Sequence, residues 1–178
     1  MNPTAFERMF SDEQFFQFLL YGSMLFLVPL VLGHLQGSFN QLFVGTIVNF
    51  LLALCALRLE SWKKIAFLML LPSVGAYLSG IVFGVNTSFL LYFIPAIWVA
   101  NAIFVFGIKK IFVEMKNHSL GIIVPSLVKA GFLFAVAFFL INAGLVPSMF
   151  LAAMGIMQLA TALAGGFLAV VISPSLKF

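Results

Sequence analysis

The sequence predicts an all-α, polytopic membrane protein, a bundle of six transmembrane helices with both termini cytoplasmic. Three observations carry that expectation: composition, the lengths of the apolar runs, and the placement of basic residues. The 178 residues are 63% hydrophobic and 8% charged, with a mean hydropathy of +1.20. A water-soluble domain carries roughly 25% charged residues and cannot cover its surface with a third of that. Most of this chain therefore meets lipid.

The run lengths agree. A bilayer core takes about 20 apolar residues at 1.5 Å each. Phe15–Leu32, Phe39–Leu57, Ile65–Gly84, Phe89–Ile108, Leu120–Ile141 and Met149–Ile172 each qualify, separated by breaks such as Gly33–Ser38, Arg58–Lys64, Val85–Ser88 and Lys109–Ser119. The runs are continuous rather than alternating, which excludes a β-barrel pattern. Little else remains, so residues 1–178 read as one transmembrane domain.

Residues 1–14 read as an interfacial segment. Glu7, Asp12 and Glu13 are the wrong charge for a signal-peptide n-region, and no small-residue cleavage site follows Leu32, so a retained anchor is expected. Thr4 with Glu7, and Ser11 with Gln14, have capping-box spacing. Phe6, Met9 and Phe10 form one apolar face of a short surface helix. The single cysteine, Cys55, lies within the second run, so no internal disulfide forms.

Orientation follows from the cations. Apart from Lys129, the basic residues are Arg8, Arg58, Lys63, Lys64, Lys109, Lys110, Lys116 and Lys177. With six crossings all of them fall on one side, together with both termini, and the loops on the other side carry none. That asymmetry places the basic side in the cytoplasm of a cell membrane. Trp62 suits an anchor at the inner interface, and the net charge of +4 reports topology and contact with anionic lipid, not nucleic-acid binding.

The outward loops are polar without charge. "GHLQGSFNQ" offers His34, Gln36, Ser38, Asn40 and Gln41; "VNTS" offers Asn86, Thr87 and Ser88; "NAGLVPS" offers Asn142 and Ser148. Neutral donors and acceptors with glycine hinges suit closure over a ligand arriving from outside. Any loop in water is polar as well, so two readings stand.

Inside the membrane each polar group is costly and faces the bundle interior. Thr46, Asn49 and Ala53 share a face of the second span, Trp98 and Asn101 lie three apart on the fourth, and Gln158, Thr161 and Gly165 align on the sixth. Counted from the outer ends, Asn49, Trp98 and Gln158 lie about 10–14 Å deep. That layer reads either as the floor of a pocket open to the outside or as interhelical hydrogen-bond glue. Small-residue rows, Ala76–Gly80–Gly84, Ala160–Ala164 and Ala162–Gly166, permit close helix contact, chiefly within the bundle. Pro29, Pro72, Pro95 and Pro125 are expected to kink their helices.

Lys129 admits three readings. A fifth span beginning at Leu120 places it about 14 Å deep, where it pairs with the polar layer or with a ligand. A span beginning near Ala130 lets it snorkel to the cytoplasmic headgroups. Snorkelling is the favoured reading, because the apolar sequence from Leu120 to Val146 exceeds one crossing.

Catalysis is not expected. The spans lack Asp and Glu, the sequence has no HExxH, GxSxG or P-loop, and His34 and His118 fall on opposite sides, which leaves no metal site and no resident cofactor. Without a nucleotide motif, active uptake needs a separate motor.

The stretches "FVGTIVNFLLALCAL" and "LVPSMFLAAMGIMQLATALAGGFLA", in a chain of this length and topology, resemble the substrate-binding S components of energy-coupling factor (ECF) transporters. The resemblance covers most of the chain from Gly33 onward. It implies a vitamin-like solute bound near the outer face, "GHLQGSFNQ" as lid, and Trp98, Asn101 and Gln158 in the pocket. It also implies docking on a transmembrane coupling subunit driven by two ATPases. Family members often dock through an alanine-xxx-alanine row on the first helix, which here reads "FFQFLLYGSMLFLVPLVL". The N-terminal "MNPT" does not match the motif of the family's metal-binding members.

The expected function is a substrate-capture subunit of an uptake transporter that takes a small organic solute from outside. The candidate binding residues are His34, Gln36, Asn40, Gln41, Asn49, Asn86, Trp98, Asn101, Lys129 and Gln158. The alternative is a non-transporting membrane subunit that scaffolds partner membrane proteins.

Overall fold

The structure, a computed structural model, describes residues 13–33, 39–118 and 120–175. The helix expected from Phe6, Met9 and Phe10 lies outside the described residues, as do His34, Gln36 and Ser38. Within the described residues every regular element is helical and there is no strand. In chain order these are α1 Glu13–Leu32, α2 Phe39–Arg58, α3 Trp62–Leu68 and α4 Leu71–Ser79, then a 3₁₀ turn over Gly84–Phe89. Next come α5 Leu90–Ile108, a π-helical stretch Lys109–Glu114, α6 Leu120–Asn142, α7 Met149–Met154, α8 Ile156–Ile172 and a closing 3₁₀ turn Ser173–Ser175.

Five stretches are long and apolar enough to cross a membrane: Glu13–Leu32, Asn40–Arg58, Gly84–Glu114, Leu120–Asn142 and Met149–Ile172. Phe16, Val31, Leu91, Phe139 and Val171 stand on their outer surfaces, more than half exposed. A helix in water presents a polar face outward; helices apolar all round need lipid there.

The third run, Ile65–Gly84, is where structure and expectation part. It forms two helices of 7 and 9 residues, α3 and α4, rather than one span. Pro72 accounts for the break. Proline lacks the N–H a helix interior needs and its ring collides with the carbonyl four residues back. It is tolerated in the first turn of a new helix, which is where Pro72 sits in α4. Pro29, Pro95 and Pro125 lie inside α1, α5 and α6.

Gly80 and Gly84 also differ from the expected packing row. Their φ angles are +74° and +58°, and a Cβ at either would touch nothing within 4 Å. They end α4 and turn the chain, conformations that glycine adopts without steric cost.

α2 and α8 approach each other closely. A Cβ at Gly165 would sit 2.5 Å from the Phe50 amide nitrogen and 2.6 Å from the Thr46 carbonyl oxygen, so only glycine lets these backbones meet. Ala162 and Gly166 are buried as well, Gly166 against Ile122 of α6 and Phe104 of α5, whereas Ala160 and Ala164 face outward.

The two ends of the bundle differ in charge. At one end the Arg58 guanidinium donates to the Ser173 hydroxyl (3.1 Å) and carbonyl. Gln14 Nε2 donates to the Arg58 carbonyl at 3.1 Å, and Lys109 Nζ to the Leu59 carbonyl at 2.5 Å. Lys109 also lies 5.2 Å from the Trp62 ring centroid. The start of α1, the α2–α3 turn, the end of α5 and the end of α8 thus come together, bringing Arg58, Lys63, Lys64, Lys109 and Lys110 with them. At the opposite end Phe83, Phe89 and Phe93 surround the buried Phe150, with centroids 5.3, 6.3 and 5.0 Å away. The described turns there carry no charged residue.

Apolar packing forms two cores. Leu52, Cys55, Leu68, Phe104, Ile108 and Ile122 belong to one, toward the charged end. Leu90, Phe93, Leu133, Phe150 and Met154 belong to the other. Between them on α5, α6 and α8 lie Asn101, Lys129 and Thr161.

Candidate solute-binding site

Lys129 is 2% exposed, on the seam between the two cores. Its Nζ donates to Asn49 Oδ1 of α2 at 2.5 Å and to Asn101 Oδ1 of α5 at 3.0 Å. The Phe104 ring centroid lies 5.0 Å away, within cation–π range. The snorkelling expectation is therefore corrected. α6 is one helix from Leu120 to Asn142, so Lys129 sits in its interior, and the amides of two neighbouring helices hold the side chain inward.

The amide orientations follow from what surrounds them. Asn49 Nδ2 donates to the Gly45 carbonyl (2.9 Å) and to Thr161 Oγ1 (3.1 Å). Asn101 Nδ2 donates to the Met69 carbonyl (3.0 Å). A backbone carbonyl only accepts, so each amide must turn its NH₂ toward the carbonyl and its oxygen toward the lysine. Both oxygens therefore accept hydrogen bonds from Nζ. Met69 lies in the turn between α3 and α4, so the break forced by Pro72 supplies the carbonyl that aligns Asn101.

Trp98 takes a different partner. Its Nε1 donates to Ser73 Oγ at 2.8 Å, while Ser73 donates to the Leu70 carbonyl at 3.0 Å. Asn101 and Trp98 together fasten α5 to the broken third run.

Above the lysine is a cavity of about 90 Å³. Its polar lining is Gln41, Asn49, Ser73, Asn101, Lys129 and Gln158; Val44, Val48, Leu90 and Ile97 supply much of the apolar wall. Gln41, Val82, Phe83 and Leu90 lie toward the uncharged end. Asn49 is ten residues into α2 from that end and Asn101 eleven into α5, about 15 Å down, so the lysine and its amides form the floor. Gln41 Nε2 donates to the Ala153 carbonyl at 3.1 Å, where the chain breaks at Gly155 between α7 and α8. Among the described residues the side chain of Gln158 makes no hydrogen bond; only its carbonyl is engaged, accepting from Thr161.

Of the candidate residues, Gln41, Asn49, Asn101, Lys129 and Gln158 share this cavity, and Trp98 does not line it. Asn40 Nδ2 instead donates to the Gly33 carbonyl at 2.7 Å, tying the end of α1 to the start of α2. Asn86 donates to Met149 Sδ at 3.2 Å, away from the cavity. His34 and Gln36 lie outside the described residues. Ser73 escaped the sequence reading; a hydroxyl directly after an intramembrane proline was the available signal. Thr161, noted only for its alignment, proves to be the partner that orients Asn49.

A wider groove of about 580 Å³ opens at the charged end, lined by Leu57, Phe112, Lys116 and His118 among others. None of the candidate residues among the described residues lines it.

The fold defines the class, a multi-pass helical membrane protein. Comparison of the chain with protein-family models, with curated proteins and with solved structures finds no match in any of the three.

Proposed function

We propose that the chain is the substrate-capture subunit of an uptake transporter, binding a small organic solute from outside. One observation carries this reading: a lysine buried in an apolar bundle, met by amide oxygens and no carboxylate among the described residues, at the floor of a cavity. Burying an ammonium is expensive, and an ionisable residue inside a membrane marks a ligand or ion pathway by default. Structural glue alone would be served by a neutral side chain at far lower cost.

The charge distribution supports the direction of capture. With the basic end cytoplasmic by the positive-inside rule, the cavity faces outward. Six crossings result if α3 and α4 together make the third, and both termini are then cytoplasmic. A cavity of about 90 Å³ is smaller than the roughly 300 Å³ or more that drug-sized ligands fill. A vitamin-sized solute thus requires the walls to part, and the Gln41–Ala153 bond is a contact that has to break. Transport needs partners, for which a transmembrane coupling subunit with two ATPases is the proposed set.

Mass spectrometry of small molecules extracted from gently purified protein tests the reading. A solute retained near one equivalent per chain supports it, with or without co-purifying ATPases. Recovery of neither solute nor ATPases refutes it and favours a subunit that recruits partner membrane proteins.

A further inference from the structure

We infer that the captured solute is a small monocarboxylate, its carboxylate paired with Lys129 and its apolar part lying against Val44, Val48, Leu90 and Ile97. The inference rests on the capture reading above and specifies its substrate class.

Hydrogen-bond geometry and charge lead to this class. An ammonium has three N–H donors, and Asn49 and Asn101 take two. Both are neutral amides, so neither supplies negative charge. No carboxylate among the described residues answers the charge, which beyond the two amide oxygens meets only the Phe104 ring at 5.0 Å, and Lys129 borders the cavity with one donor to spare. An anion placed there removes the cost of the buried cation and gains a charge-assisted bond in a site of low dielectric.

The lining also narrows the anion. A single cation balances one negative charge, which disfavours phosphate and dicarboxylates. A carboxylate has two oxygens and needs a donor for each. Gln158, on the same cavity, holds an amide NH₂ with no partner among the described residues, and it supplies the second. The rest of the wall is largely aliphatic, matching a hydrocarbon tail. A volume of about 90 Å³ amounts to roughly three water molecules, so a carboxylate of two or three carbons in all suits it better than a larger ligand.

Propionate and its neutral isostere propionamide separate charge from shape. Binding of each is measured to the full-length protein in lipid nanodiscs, by ligand-detected NMR and by the shift in melting temperature. Propionate is expected to bind about tenfold or more tighter than propionamide, and that margin to vanish in Lys129→Met. Gln158→Leu, which leaves the lysine's bonds untouched, is expected to weaken propionate severalfold. Equal binding of the two probes to the wild type overturns the carboxylate assignment, and so does binding of neither. The capture reading stands or falls separately, on whether any solute is extracted from the purified protein.

Discussion

Lys129 Nζ lies 2.5 Å from Asn49 Oδ1, joining α6 to α2 across eighty residues of sequence. The bond predicts a non-additive mutant cycle. Asn49→Leu removes one of the lysine's two acceptors while the charge stays buried, a loss on the order of 3 kcal/mol. Lys129→Met leaves two amide oxygens unmet, at about 1–3 kcal/mol each at most. The double variant removes both ends of the contact, so it should be more stable than Asn49→Leu alone. Thermal unfolding in one detergent measures all three; strict additivity would show that the contact carries no energy.

The Trp98–Ser73 bond spans 2.8 Å between α5 and the start of α4. Intramembrane side-chain bonds of this kind contribute about 0.6 kcal/mol and up to about 1.7. Trp98→Phe with Ser73→Ala should show a coupling in that range. A larger loss for Asn101→Leu is expected, because that change also strips an acceptor from Lys129 and the partner from the Met69 carbonyl.

Glycine substitutions should separate by location. At Gly165 a side chain meets backbone atoms of α2 that cannot rotate away, so Gly165→Val should abolish or nearly abolish folded yield. At Gly131, within α6, a Cβ meets nothing within 4 Å. There Gly131→Ala should stabilise by about 0.5–1 kcal/mol through helix propensity. Size-exclusion profiles and melting temperatures report both; comparable effects would mean α2 and α8 do not pack as described.

Tyr21 is 2% exposed, and its hydroxyl has no hydrogen-bond partner among the described residues. A buried hydroxyl without a partner costs stability, and its removal relieves that cost. Tyr21→Phe should therefore leave the melting temperature unchanged or raise it. A drop of several degrees would reveal a partner.

Hydropathy and charge were legible because they are properties of whole segments. Five of the six apolar runs reappear as stretches long enough to cross a membrane, and Arg58, Lys63, Lys64, Lys109 and Lys110 gather at one end. Helical spacing also singled out Asn49, Asn101 and Gln158, since an amide inside a span has to point inward. The third run deceived because hydropathy cannot see an N–H; Pro72 is apolar enough to continue a span and geometrically unable to do so. Lys129 was misread because its side depends on where α6 begins. That choice is set by acceptors on α2 and α5, far off in sequence. Trp98 was assigned to the pocket by its level, its spacing from Asn101 and the family resemblance, and its partner Ser73 turns on packing that no local pattern encodes.

Burial of Lys129 is the point on which the cavity, its cation and its solute all depend. Acylation of intact membranes with a permeant amine-reactive ester, read by peptide mass spectrometry, tests it. Lys129 should stay unmodified while Lys110 and Lys116 react. Modification of Lys129 to the same extent would place its ammonium at the headgroups and leave the cavity without its floor.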